Sequence, residues 1–304
     1  MKNILVPTDF SKNAWNAIKY SIKLYQNEPC VFYLLNTYTP SISNSRFMSS
    51  LLFEDSLTVE NYSKQGLQHI LNRIQKKHHN PLHSFKTISS FSLLVDEVNE
   101  LIDDHAIDMV IIGTKGASGL AEVFMGSNAV RIIKTVKNCP ILAIPDHFEF
   151  ETPKEIAFAT DFNRFYTQSE LQPIITMVKA FDSVLRIVHV QQEIKALTEL
   201  QQFNLNMLRN YFNTIEYYIH TVSELDSISK TLEIFVDELE LHLLAMLNYQ
   251  HSYMEEVTRE PIVKRLTFHT QIPLLVIPEI GINISLKHKR EEKPIPRSQQ
   301  ENSC

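Results

Sequence analysis

The sequence predicts an open α/β fold that is built twice along the chain, with parallel strands forming sheets covered by helices on both faces. Short apolar runs alternate with segments of helical periodicity through residues 1–145, an order typical of parallel sheets. The same order of segments returns after about 140 residues. A chain of 304 residues is also long enough for two domains of ordinary size.

Five strands and four helices are predicted in the first half. An apolar run that ends in turn residues, such as residues 3–7, is typical of a strand buried on both faces. Ser11 is a preferred N-cap residue, and the apolar residues after it recur with a helical period. We expect strands at residues 3–7, 31–36, 85–91, 109–112 and 141–144, helices at 12–26, about 67–78, 93–102 and 128–136, and a long surface excursion at 38–58.

The second half repeats distinctive short motifs of the first. VPTDF at residues 6–10 returns as FATDF at 158–162, and ILAIP at 141–145 returns as LLVIP at 274–278. The other strands expected there cover residues 184–190, 215–220 and 241–247. We therefore predict domains at residues 1–147 and 148–280, with a polar boundary between them. Residues from Leu286 onward have almost no apolar content, and residues 281–304 are expected to form a disordered tail.

Composition excludes several classes of protein. The formal net charge of −6 argues against binding to nucleic acid or to anionic lipid, since both require a basic surface. The three cysteines, Cys30, Cys139 and Cys304, are too few and too far apart for a disulfide framework, which favours a reducing compartment. No apolar run is long enough to span a bilayer, and the N-terminus lacks the apolar core of a signal peptide. We expect a cytoplasmic protein.

Glycine is rare in this chain and concentrated in one place. Only six glycines occur, about a third of the usual ~7% share. Four of them, Gly113, Gly116, Gly119 and Gly126, lie in one stretch that starts where a strand ends and finishes where a helix begins. Free N–H groups and the helix dipole favour an anion at such a helix start. In an open parallel sheet, ligands bind beyond the carboxyl ends of the strands.

The spacing G-2x-G-9x-G-[S/T]-N in residues 113–128 resembles the nucleotide-binding signature of the universal stress protein family. The opening ILVPTDFS and the later CPILAIP resemble that family's first and last strands. The resemblance covers residues 1–147 and, more weakly, 148–280. It implies flavodoxin-like domains of the adenine-nucleotide α-hydrolase type, each with a five-stranded parallel sheet of order 3-2-1-4-5. It also implies a fifth-strand pairing of the two domains as an internal pseudo-dimer, and leaves a homodimer open.

The resemblance further implies ATP as the ligand and assigns residues to it by their positions in this chain. Adenosine would lie against the end of the first strand, and Thr37 would touch adenine through its backbone. The glycine loop would hold ribose and phosphates, and Mg²⁺ near Asp9 and Ser127 is left open. The implied binding residues are Pro7, Thr8, Asp9, Thr37, Gly113, Gly116, Gly126, Ser127 and Asn128.

The equivalent stretch of the second half, residues 248–261, contains no glycine and brings three glutamates toward the would-be phosphate site. Carboxylates there would repel phosphate, so we expect nucleotide in the first half alone. Three functions stay open: an ATP-binding regulatory or stress-response protein, an interaction protein that binds no nucleotide, and a slow ATP hydrolase. The third is the weakest, because efficient phosphoryl transfer needs a positioned nucleophile and cationic stabilisation, and no convincing base or arginine finger is present.

Other chemistry-bearing residues have simpler interpretations. His78, His79 and His83 would have to converge on one point to bind a metal, and adjacent residues diverge on any regular element. Cys139 precedes a buried strand and is expected to be a packing residue. Lys115 could pair with a phosphate or be solvated, and the sequence does not decide between these alternatives.

Overall fold

The computed structural model describes residues 1–39, 51–114, 126–248 and 271–279, without the side chains of residues 51–57. Within these ranges the chain forms ten strands and seven helices. The strands are β1 (Lys2–Pro7), β2 (Cys30–Thr37), β3 (His83–Ser90), β4 (Met109–Gly113), β5 (Ile141–Ile144), β6 (Glu155–Ala159), β7 (Val184–Gln191), β8 (Tyr217–Ser223), β9 (Leu243–Asn248) and β10 (Leu274–Pro278). The helices are α1 (Lys12–Leu24), α2 (Leu51–Lys77), α3 (Leu94–Asp104), α4 (Ser127–Thr135), α5 (Gln168–Phe181), α6 (Glu199–Tyr211) and α7 (Ile228–Glu238).

The described strands form one sheet with the order β3-β2-β1-β4-β5-β10-β9-β6-β7-β8. The predicted order 3-2-1-4-5 is confirmed in the first half, and the second half has the same order. Neighbouring strands within each half are parallel, whereas β5 and β10 are antiparallel. Leu142 faces Leu275 across that junction. These two leucines occupy the same position in ILAIP and LLVIP, so a local two-fold axis passes between the halves.

Both faces of the sheet are buried because successive strand residues point to opposite sides. In β1, Ile4 and Val6 pack into the core on the side of α1 and α2, and Leu5 packs into the core on the side of α3 and α4. Burying side chains of this size contributes about 1.5–3 kcal/mol each. The continuous apolar runs of the sequence are the consequence of this double burial.

Most predicted elements agree with the structure within a few residues, with one clear exception. Ser11 caps α1 as expected, since its hydroxyl accepts a hydrogen bond from the Ala14 N–H at 3.1 Å. The excursion predicted at residues 38–58 is wrong in its last part, because α2 already begins at Leu51. Residues 40–50 lie outside the described ranges. The serines that precede Leu51 interrupt any apolar period, so the sequence pattern did not indicate where this helix begins.

The connection from β5 to β6 runs across the exposed side of α1. The amide Nδ2 of Asn16 donates to the carbonyls of Pro145 at 3.2 Å and Phe148 at 2.9 Å. The rings of Phe148 and Phe150 pack against Tyr20, with centroids 6.3 and 5.2 Å from it. The predicted boundary at 147/148 lies in this connection and stays a prediction. The predicted tail at 281–304 lies outside the described residues. In the described ranges, no helix combines the length and apolarity needed to cross a membrane.

Candidate functional site

The site lies at the carboxyl edge of the first half, where β2, β1 and β4 end side by side. These three strands are neighbours in the sheet, so residues that follow them in the sequence meet at one edge. A cavity of about 310 Å³ opens there, which is within the range of small-molecule sites. Eight of the nine predicted residues line it: Pro7, Thr8, Asp9, Thr37, Gly113, Gly126, Ser127 and Asn128. Gly116 lies outside the described residues, as does Lys115.

A tight turn after β1 positions Thr8 and Asp9. The Thr8 hydroxyl accepts from the Phe10 N–H at 3.1 Å, and the Asp9 Oδ1 accepts from the Ser11 N–H at 3.0 Å. Phe10 has a φ of 66°, a left-handed conformation that is uncommon for a bulky residue. The two side-chain hydrogen bonds hold the backbone in this conformation. One oxygen of Asp9 therefore serves the turn, and the other oxygen is the simpler ligand for Mg²⁺ near Asp9.

Asn36, at the end of β2, is a cavity residue that the sequence analysis missed. Its amide Nδ2 donates to the Thr8 carbonyl at 2.7 Å, which ties the end of β2 to the turn after β1. A polar side chain inside the apolar run VFYLLN was the available signal. Ala14, Leu94, Ile112, Thr114 and Ala129 also line the cavity, and as ordinary core or strand residues they carried no such signal.

Helix α4 begins at the cavity with no side-chain cap among the described residues. Gly126 is its N-cap residue and cannot offer a side-chain acceptor, so the first N–H groups of Ser127 and Asn128 are left for another partner. The Gly126 N–H itself donates to the Thr114 carbonyl. Uncapped N–H groups at a helix start favour an anion. The φ of Gly126 is −59°, which any residue can adopt, so the backbone conformation itself does not require a glycine here.

Gly113 lines the cavity and also has a packing role. A Cβ at this position would lie 2.8 Å from Cγ of Asn13 and 2.9 Å from both amide atoms. Asn13 is a buried residue of α1, so its amide cannot easily move away. The missing Cβ lets α1 approach the end of β4, and the same approach shapes one wall of the cavity.

We expect Gly113→Ala to reduce the free energy of unfolding by about 1–3 kcal/mol, because the added methyl group overpacks this contact. Chemical denaturation of the two proteins measures the difference. Combining Gly113→Ala with Asn13→Ala removes the clashing amide, so the double variant should lose clearly less than the sum of the single losses. Additive losses would show that the methyl group and the amide do not meet.

The second half repeats the turn after its first strand. Thr160 Oγ1 accepts from the Phe162 N–H at 3.3 Å, Asp161 Oδ1 accepts from the Asn163 N–H at 3.0 Å, and Phe162 has a φ of 58°. Asp161 therefore has the same turn role as Asp9. The surroundings differ, because the Thr160 hydroxyl is bonded to the hydroxyl of the buried Tyr166. A buried tyrosine thus occupies the space beside the threonine that lines the cavity in the first half.

His189 stands where the first half has Asn36. The Thr8 N–H donates to the Leu35 carbonyl, and the Thr160 N–H donates to the Val188 carbonyl. Asn36 follows Leu35 and His189 follows Val188, so Asn36 and His189 occupy equivalent positions. The His189 ring is buried and meets Phe162 edge to face, with centroids 4.9 Å apart. Within the described ranges its Nδ1 has no hydrogen-bond partner. Burial lowers the pKa of His189 below its ordinary value of 6.5, and the Asp161 carboxylate opposes this only in part.

The lowered pKa predicts that His189 makes the protein less stable in mild acid. The unfolded chain binds more protons than the folded protein between the ordinary and the lowered pKa, so stability is full above about pH 6.5 and falls as the pH drops. Replacement by the residue of the first half, His189→Asn, should flatten the loss of thermal stability between about pH 7.5 and 5. His79→Asn, at an exposed position, is the matched control and should leave the profile unchanged. Identical profiles for wild type and His189→Asn would contradict this role.

The other candidates have structural roles. The His78 ring lies against Trp15, and burial and then the nearby Lys19 lower its pKa, whereas His83 Nε2 faces the Tyr25 carbonyl at 2.9 Å. In the ranges that the structure describes, no group of three or more His, Cys, Asp or Glu side chains is placed to hold a metal ion. Cys139 is fully buried, and burial raises the pKa of its thiol to about 12, so the thiolate that reacts is scarce at neutral pH.

The first half of the chain is similar in sequence to proteins of one known family. Residues 1–145 match the profile of the universal stress protein family. A universal stress protein of Methanocaldococcus jannaschii is 27% identical over 157 residues, which cover 47% of this chain and 94% of that protein. A second one from the same organism is 25% identical over 150 residues, with 47% and 81% covered.

Solved structures show the fold over almost the whole chain. A universal stress protein from Archaeoglobus fulgidus superposes with a TM-score of 0.64 at 16% identity, covering 91% of this chain and 96% of that one. A functionally unknown protein from Pseudomonas aeruginosa has a TM-score of 0.55 at 11% identity, with 91% and 92% covered. At these identities the likeness establishes the fold alone.

Fold and cavity together define an open α/β protein with a ligand-sized cavity at the carboxyl edge of its parallel strands. Over residues 1–145 the chain is similar to the universal stress protein family.

Proposed function

We propose that the first half binds ATP in the cavity at the ends of β1, β2 and β4, and that the nucleotide acts as a regulatory ligand. One observation carries this proposal: the turn after β1 and the start of α4, which has no side-chain cap among the described residues, line the same cavity. The helix start suits phosphate, and the turn offers backbone and hydroxyl groups to a nucleoside. The cavity volume and the absence of a Cβ at Gly126 fit such a ligand.

In this proposal the cavity has two ends. Pro7, Thr8, Asp9 and Thr37 would contact the adenosine, and Gly126, Ser127 and Asn128 would hold the phosphates through N–H groups and the Ser127 hydroxyl. ATP would supply the negative charge that the uncapped helix start lacks. Mg²⁺ beside Asp9 and Ser127 is compatible with the second Asp9 oxygen.

The connection between the cavity and the second half supports regulation. Helix α4 begins at the cavity, and in its last turn the Ile133 carbonyl accepts a hydrogen bond from Asn248 Nδ2 at 2.7 Å. Asn248 ends β9, so one short helix links the proposed phosphate end to the second half. The antiparallel pairing of β5 with β10 further suggests that the halves act as an internal pseudo-dimer. In this proposal, a ligand that shifts the start of α4 changes the contact of this helix with Asn248.

Two substitutions of Ser127 distinguish the contribution of its backbone N–H group to ATP binding from that of its hydroxyl. Proline is favoured at a first helical position, and Gly126 has a ψ of 150°, which a residue before proline can adopt. Ser127→Pro removes an N–H group and the hydroxyl, whereas Ser127→Ala removes only the hydroxyl. Since a hydrogen bond to a charged group is worth about 1.5–3 kcal/mol, ATP should bind the proline variant roughly 10- to 100-fold more weakly than the alanine variant.

Calorimetric titration with ATP and with adenosine measures this difference. Adenosine carries no phosphate, so its affinity should be the same for both variants. Circular dichroism of the two variants checks that α4 is retained. Equal ATP affinities would place the phosphates away from the start of α4.

We expect one ATP per chain, because the two halves differ at the turn, with Tyr166 and His189 beside it in the second half. Titration of the wild type measures the stoichiometry, and Asp161→Ala, at the turn of the second half, should not change it. Two nucleotides per chain would contradict binding by the first half alone. Absence of binding would instead favour an interaction protein without nucleotide, and Mg²⁺-dependent turnover in the ~1–100 s⁻¹ range of kinases would favour a hydrolase.

A further inference from the structure

A second cavity, of about 420 Å³, forms a groove between helix α5 and the amino-terminal ends of strands in the first half. It is separate from the candidate nucleotide site, which opens at the carboxyl ends of those strands. Most of its wall is apolar. The apolar residues of the first half in this wall include Tyr25, Ile107, Met109 and Pro140, and those of α5 include Pro173, Met177 and Phe181.

The local two-fold axis gives this groove a counterpart on the other side of the molecule, and the chain itself fills the counterpart. There the connection 146–154 runs along α1, with Phe148 and Phe150 packed on Tyr20. The Asn16 amide holds the backbone of the connection through two carbonyls. That connection leads to β6 at the amino-terminal edge of the second half.

The two grooves use equivalent positions of their helices. Asn16 and Tyr20 lie five and nine residues after the N-cap of α1, Ser11. Gln172 and Thr176 lie five and nine residues after the N-cap of α5, Thr167, and both line the groove. Gln172 thus places a carboxamide where Asn16 donates to the connection. The Gln172 Nε2 donates one hydrogen bond to Thr176 Oγ1 at 3.0 Å, and its second N–H is available for a backbone carbonyl.

The chain that leaves β10 corresponds to the chain that leaves β5, because Pro278 and Pro145 end the repeated motif. Glu279 ends the described residues, and its carboxylate lies 3.7 Å from Arg164, which also pairs with Glu170 in the first turn of α5. The chain is thereby directed toward α5. The next residues read IGINISL, an apolar residue at every second position over 280–286, which is the pattern of an extended segment with one apolar side.

We propose that residues 280–286 of this chain lie in the groove and cover the amino-terminal ends of β5, β4 and β1. Seven extended residues reach about 23 Å, whereas the three strand spacings from β10 to β1 amount to about 14 Å. The apolar side of the segment meets the apolar walls, and the Gln172 amide donates to its backbone. The charged residues from Lys287 onward continue past the groove.

Disulfide trapping tests this placement in the full chain. With Cys304→Ser as background, Thr176→Cys is combined with Ile282→Cys, and the matched control combines Lys179→Cys with Ile282→Cys. Lys179 is exposed on the same helix and does not line the groove. Native Cys30 and Cys139 are buried, and burial raises the pKa of their thiols to about 11 and about 12, so they compete little. The cysteines at positions 176 and 282 should form a disulfide within one chain at least about tenfold faster than those at 179 and 282.

Equal rates for the two pairs would overturn the proposal. A disulfide that joins two chains would show that the segment of a second copy occupies the groove, and this result would also overturn the proposal.

A second measurement uses the alternation in the segment. Ile282→Asp with Ile284→Asp should lower the melting temperature by several degrees, because both side chains face the apolar walls. The control variant combines Asn283→Asp with Ser285→Asp and adds the same charge on the other side of the segment. It should leave the melting temperature unchanged. Equal melting temperatures for the two double variants would contradict a segment held by its apolar side.

Discussion

The antiparallel pairing of β5 with β10 determines the arrangement of the rest of the chain. Each of these strands would otherwise be an exposed edge of a five-stranded parallel sheet, with backbone groups free to pair with another molecule. Their pairing satisfies these groups and joins both halves into one sheet. Because the strands run in opposite directions, the carboxyl edge of each half lies beside the amino-terminal edge of the other. The connection from Pro145 to Glu155 can therefore be short, and it covers α1 on its way.

The two halves share a backbone turn and differ in the side chains around it. A threonine hydroxyl and an aspartate oxygen hold a phenylalanine in a left-handed conformation in both. In the first half the threonine lines a cavity and Asn36 ties the turn to β2. In the second, Tyr166 bonds the threonine and His189 replaces the asparagine. The turn is thus a property of the fold, and the neighbours of the turn decide whether a ligand can approach it.

The candidate site combines features that need no unusual chemistry. An uncapped helix start and a cavity between strand ends suit a phosphate-bearing ligand, and on our proposal ATP fills that place. The same helix contacts the second half through Asn248, which gives a ligand in the first half a physical route to the second. Regulation in this protein would then depend on small movements of α4.

The sequence by itself determined the class of fold, most strand positions and eight cavity residues. Strands buried on both faces leave continuous apolar runs, and residues that follow neighbouring parallel strands must meet at one edge. Only the tertiary structure decided why Gly113 lacks a side chain, since its neighbour Asn13 is 100 residues away in sequence. It likewise decided the hydrogen bond from Asn36 to Thr8 and the ordinary φ of Gly126. Such contacts depend on how a helix and two strands approach one another, and no local pattern of residues records that distance.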